Sequence, residues 1–127
     1  MTPTAHQTTP AVTEARLDRA EGRLYLIFDD DARASFSAEF LRVLSPSAEV
    51  QGHGPGQAVT VPGKRGLGIT ALEAVGNYAL RIVFDDGHDT GIYSWAYFRE
   101  LNDQEDVKWQ GYLDALAREG LSRDPPG

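Results

Sequence analysis

Residues 23–29 alternate in a strict two-residue period. Leu24, Leu26 and Phe28 fall on one side and Arg23, Tyr25 and Ile27 on the other, the pattern of a strand with one strongly apolar face. Residues 12–18 read as its partner, joined near Glu21-Gly22. Asp29-Asp30-Asp31 then forms a turn, since Asp tolerates the left-handed conformation better than most residues. Residues 33–36 return as a short strand. Ser37 occupies the N-cap position of a helix that carries Phe40 and Leu41 and runs to Arg42.

The same plan restarts at Leu67. Residues 67–75 predict a strand, Gly76-Asn77 a turn and residues 78–85 a second strand. Asp86-Gly87 has the composition of a two-residue type I′ hairpin turn. Residues 88–93 pair back, and Ser94 caps a helix carrying Trp95, Phe98 and Leu101. Asn102 with Glu105 reads as a further cap, opening a helix to about Glu119. Its apolar stripe is Trp109, Tyr112, Leu113 and Leu116, and Gly120 ends it.

Leu26-Ile27-Phe28-Asp29-Asp30 matches Ile82-Val83-Phe84-Asp85-Asp86, and Phe36-Ser37 matches Tyr93-Ser94. The expected fold is therefore α+β: an antiparallel sheet built from two similar strand-turn-strand-helix units, helices packed on one face, plus a C-terminal helix. Between the units, residues 45–66 are rich in Gly and Pro and read as one long loop, with a short strand at 58–61. One domain spans 12–120, and 1–11 and 121–127 are expected as flexible tails.

A two-residue turn at Asp86-Gly87 would oppose Asp85 to His88 and Phe84 to Asp89. His88 would then lie on the face away from Leu80, Ile82, Phe84 and Tyr93, beside Asp85, Arg81 and Thr90, and outside the core. An accessible imidazole among carboxylates can be a metal ligand or a general base. Its bland reading is a turn residue whose proton Asp85 accepts. As a metal site it would draw on His53 in the glycine-rich loop and on Asp85, a two-His-one-carboxylate set suited to iron. Ser94 and Ser47 could be drawn toward His88 as nucleophiles, but Ser94 is better explained as a helix cap and Ser47 as loop. There is no nucleophile elbow and no phosphate loop.

Composition narrows the chemistry. The 127-residue chain has no cysteine, which removes disulfides, thiolate zinc sites and a cysteine nucleophile. A formal charge of −7 argues against nucleic acid and anionic membranes. No run approaches a spanning helix. Residues 1–10 lack the apolar core of a signal peptide, so a cytoplasmic protein is expected.

Leu41-Arg42-Val43-Leu44-Ser45-Pro46-Ser47-Ala48-Glu49-Val50-Gln51-Gly52-His53-Gly54, then Gly76-Asn77-Tyr78-Ala79-Leu80, then Asp85-Asp86-Gly87-His88-Asp89-Thr90-Gly91-Ile92-Tyr93-Ser94-Trp95, carry a family resemblance. The chain resembles the family related to the N-terminal domain of gamma-butyrobetaine hydroxylase. In the hydroxylase that domain precedes an oxygenase domain and holds a structural zinc on three Cys and one His. The resemblance matches those Cys to Ser45, Ser47 and Val50, and the His to His88. One ligand of four cannot hold the zinc, so zinc is not expected. Similar domains are attached to P-loop ATPases of iron–sulfur cluster assembly, which implies a protein partner of that kind.

Three readings follow. The first is a small non-enzymatic binding or accessory module, linked to iron or iron–sulfur metabolism, using the glycine-rich loop and the His88 turn. The second is a mononuclear iron protein using His53, His88 and Asp85. The third is a hydrolase using His88.

Overall fold

A computed structural model describes residues 9–52 and 56–126. The chain forms β1 (Val12–Asp18), β2 (Arg23–Phe28), β3 (Arg33–Ser37), α1 (Ala38–Val43) and α2 (Ala48–Gln51). It continues with β4 (Ile69–Val75), β5 (Ala79–Phe84), β6 (Ile92–Ser94), α3 (Trp95–Asp103) and α4 (Glu105–Glu119). The strands make two three-stranded antiparallel sheets, β1-β2-β3 and β4-β5-β6, each continued directly by a helix. This is the expected α+β fold of two similar units plus a C-terminal helix.

The repeat extends to individual hydrogen bonds. In the first unit the Phe28 N–H donates to Ala32 O and Asp31 N–H to Phe28 O, and in the second Phe84 N–H donates to His88 O and Gly87 N–H to Phe84 O. Asp31 and Gly87 both hold positive φ, at 68° and 90°. The first strand of each unit bulges at a threonine, between Val12 and Glu14 and between Ile69 and Ala71. The Thr13 and Thr70 hydroxyls donate to Ile27 O and Val83 O. Both helices start at a serine: Ser37 Oγ accepts from Phe40 N–H and Ser94 Oγ from Tyr97 N–H.

Each unit's helix also reaches the other unit's turn. Arg42 of α1 bonds Asp86 in the β5–β6 turn, and Arg99 of α3 bonds Asp30 in the β2–β3 turn. The contacts are reciprocal, so the two units brace one another. Their apolar faces form one core: Leu24, Leu26 and Phe28 from β2, Leu80, Ile82 and Phe84 from β5, with Phe36, Phe40, Tyr93 and Phe98. Phe98 stacks between Phe36, at 6.0 Å, and Tyr93, at 5.6 Å. A smaller cluster of Val43, Tyr112 and Leu116 seats α4.

Several expectations are corrected. Asn102 does not cap α4. It lies in the last turn of α3, which continues past the buried Leu101, and Gln104 stands at the start of α4 without a side-chain cap bond. No strand forms at 58–61. The long connection instead contains α2, capped by Ser47 Oγ, and is fastened by Val59 N–H donating to Val50 O. The β5–β6 turn has positive φ at Gly87 but not at Asp86, so it is not the type I′ turn that Asp-Gly suggests. It is a three-residue turn ending in a left-handed glycine, and Phe84 rather than Asp85 lies opposite His88.

Candidate functional site

That one-residue difference in the turn decides where His88 goes. Because side chains alternate faces along a strand, moving the partner of His88 from Asp85 to Phe84 turns the ring to the core side. His88 is 7% exposed, not solvent-facing as expected, and its ring lies 5.9 Å from that of Phe84. The equivalent residue in the first unit is Ala32, so the second unit carries a polar ring where its twin carries a methyl group.

Both ring nitrogens are engaged. Nε2 lies 2.9 Å from Ser45 Oγ and Nδ1 lies 3.0 Å from Glu49 Oε1. An ionised carboxylate only accepts, which assigns the proton to Nδ1. Nε2 is then the acceptor and the Ser45 hydroxyl its donor, while Ser45 Oγ accepts from Ser47 N–H at 3.2 Å. Ser47 Oγ bonds Thr90 Oγ1 at 2.7 Å and accepts from Glu49 N–H. Thus the segment carrying Ser45, Ser47 and Glu49 is pinned to the β5–β6 hairpin by polar contacts at His88 and Thr90. The carboxylate at His88 is Glu49 rather than Asp85, whose Oδ2 accepts from Gly68 N–H across the sheet edge.

Burial lowers the His88 pKa, and the nearby Arg42 cation adds to that against the raising pull of Glu49 and Asp86. The ring is therefore held in its neutral form. Next to it Asp86 accepts from Arg42 Nε at 2.8 Å, Lys64 Nζ at 2.7 Å and the His88 N–H at 3.0 Å. Tyr93, wholly buried, donates its hydroxyl to Leu41 O, and burial pushes its pKa strongly upward. Gly91 is small by necessity: a Cβ there would stand 2.6 Å from Ser45 Oγ and 3.0 Å from the Tyr93 ring.

Ser45–His88–Glu49 has the connectivity of a Ser-His-acid triad. Its surroundings do not suit a nucleophile. Ser45 is 0% exposed, its oxygen already accepts a backbone N–H, and Glu49, 63% exposed, is the member that faces water. A substrate carbonyl has no approach to that hydroxyl.

The expected metal set of His53, His88 and Asp85 falls only partly within the described residues. His53 lies outside them, Asp85 is bonded to Gly68 and His88 is bonded twice. Among the described residues no group of three or more His, Cys, Asp or Glu side chains is placed to hold a metal. Zinc of the hydroxylase type does not fit: the chain has no cysteine to supply its three thiolates. A hairpin register that opposes Asp85 to His88 does not reveal Ser45 and Glu49 as partners of the ring. Only the family matching of Ser45 to a ligand of the same site as His88 pointed to their contact.

Among the described residues no helix is long and apolar enough to cross a membrane. The sequence profile of the gamma-butyrobetaine hydroxylase-like, N-terminal family matches residues 15–99. Two NMR solution structures are similar: one is 45% identical with a TM-score of 0.81, covering 98% of this chain and 92% of its own. The other is 43% identical with a TM-score of 0.80, covering 94% of each. A crystal structure from Acidithiobacillus ferrooxidans is 29% identical with a TM-score of 0.60 and covers 72% of this chain and 92% of its own. It is of a protein with unknown function that belongs to the DUF971 family. No curated protein matches.

Proposed function

The chain belongs to the gamma-butyrobetaine hydroxylase-like N-terminal family, and we propose that it acts as a small non-enzymatic binding or accessory module. The observation that carries this reading is the inward-turned Ser45–His88–Glu49 chain. The residues with the types and contacts of a reactive site are committed to fastening the 45–51 segment onto a hairpin. What remains for function is surface. The resemblance to domains attached to P-loop ATPases of iron–sulfur cluster assembly supplies the partner to try first.

The test is a calorimetric titration of the chain against such a purified ATPase. Saturable binding supports the module. No heat at concentrations well above those of transient complexes removes this partner. The hydrolase reading has one observation in its favour, the triad connectivity. Labelling of Ser45 by a fluorophosphonate probe would establish it, and an unlabelled, folded protein is the expected result. Iron on His53, His88 and Asp85 would require the ring to give up Ser45 or Glu49, and metal analysis decides that reading.

A further inference from the structure

Away from His88, the segment after α4 lies in a slot with the chemistry of a peptide site. Gly120 ends the helix at φ 68°, and residues 121–126 then run across the 63–65 segment. Gly63 N–H donates to Ser122 O and Arg65 N–H to Arg123 O, both at 2.9 Å. Arg65 Nε meets Asp124 Oδ1 at 2.5 Å. Arg123 enters a notch between α1 and α4, where its Nε and Nη2 bond the two oxygens of Glu39 at 2.7 and 2.6 Å. Its guanidinium carbon lies 5.0 Å from the centre of the Trp109 ring. Ser37, Glu39, Phe40, Glu105, Trp109 and Arg123 line a cavity of about 200 Å³ there.

A buried carboxylate presenting both oxygens beside an aromatic face fits a guanidinium. The planar fork bonds both oxygens and lies on the ring, which an ammonium cannot do together. Glu39 is buried and Glu105 adds a second acid to the rim, so an empty notch would be strongly cation-seeking. Arg123 is half-buried and Leu121 is 38% exposed, while the rest of residues 121–126 is exposed. The segment is therefore held by a few polar contacts and two side chains. A second segment offering the same groups would make the same contacts.

We propose that Glu39, Trp109 and the backbone of 63–65 form a recognition slot for an extended partner segment carrying arginine followed by an acidic residue, and that residues 122–124 occupy this slot in cis. The proposal rests on the reading of the chain as a binding module and names the chemistry of what it binds. The tethered segment acts at an effective concentration on the order of millimolar, so it masks the slot from weak competitors.

The experiment uses the full chain with Arg123→Ala, titrated with the capped peptide Leu-Ser-Arg-Asp-Pro-Pro and followed by amide and indole NMR. Saturable shifts at the Trp109 indole and at the Gly63 and Arg65 amides are expected. Affinity should be at least about tenfold above that of the unaltered chain. The peptide with Lys in place of Arg, and the double variant Glu39→Gln/Arg123→Ala, should each lose about tenfold or more. Equal binding of the Arg and Lys peptides, or shifts that avoid Trp109, would overturn the slot. Elution of the unaltered chain as a segment-exchanged dimer would give the slot to a second copy and overturn the partner assignment. If Arg123→Ala does not fold, Arg123→Lys serves in the same titration, since it keeps the charge and loses the fork. None of these results depends on the ATPase titration, so the slot and the module reading fail separately.

Discussion

The two reciprocal Arg–Asp contacts provide an internal control on the worth of an ion pair. Asp30→Asn and Asp86→Asn remove the same charge from the same place in each unit. Both leave an oxygen to accept the backbone N–H of Ala32 or His88. Their surroundings differ. The Asp30 side chain is 41% exposed and faces Arg99, whereas Asp86 is 17% exposed and faces both Arg42 and Lys64. Exposed pairs contribute about 0–1 kcal/mol. Removing one partner of a buried pair costs about 3–5 kcal/mol, because the other charge stays behind. Asp30→Asn should therefore cost about 0.5 kcal/mol. Asp86→Asn lies between the two limits, at about 2 kcal/mol, since it leaves two partly buried cations beside one another. In urea, with a slope of about 2 kcal/mol/M, the midpoints should fall by about 0.25 M and about 1 M respectively. The pH dependence adds a second constraint. Burial alone would raise the Asp86 pKa, but Lys64, the His88 N–H and Arg42 outweigh it and hold it at about 2. A carboxyl whose folded pKa is depressed stabilises above its unfolded value, about 4, and that contribution disappears as pH falls through about 2. The gap between the parent and Asp86→Asn should close over that window. Equal midpoint shifts for the two variants, or a gap that persists undiminished at the acid end, would show that burial does not set the worth of these pairs.

Other consequences can be measured on the same material. Ser45→Ala leaves His88 Nε2 and the Ser47 N–H without their buried partner, and should cost about 2 kcal/mol in urea unfolding. Gly91→Ala places a methyl against Ser45 Oγ and the Tyr93 ring. It should cost about 1–3 kcal/mol, with amide shifts reaching Ser45 and Ser47. Because burial and Arg42 depress the His88 pKa, its contribution is complete above the unfolded value of about 6.5 and is lost as pH falls toward the lower folded value. A stability profile of His88→Gln should be flatter than the parent's below pH about 6.5.

What the sequence made legible was local. The serines at 37 and 94 announce helix starts because a side-chain oxygen, three residues ahead of an N–H, does the capping within one turn. Gly120 announces a helix end because the left-handed conformation suits it. The duplicated Phe-Asp-Asp motif marks two copies of one hairpin because the same turn needs the same residues. The face of His88 was not legible. Asp-Gly serves a two-residue turn and the end of a three-residue turn equally well, and the choice reverses the side to which the ring points. A clue lay in the first unit, where Ala32 holds the equivalent place after a three-Asp turn. The contact of His88 with Ser45, 43 positions away, has no signature in periodicity at all. Likewise, residues 121–127 read as a tail because they are polar and end in prolines, while the pairing of Arg123 with Glu39 spans 84 positions.

The imidazole at position 88 is a structural fastener, held neutral between a serine and a glutamate. Its most direct test is the metal content of untagged protein purified from iron-supplemented cells, measured alongside His88→Ala. Metal far below one equivalent is expected in both, with a loss of stability in the variant. Metal near one equivalent in the parent, lost on substitution of His88, would make the ring a metal ligand instead of a fastener.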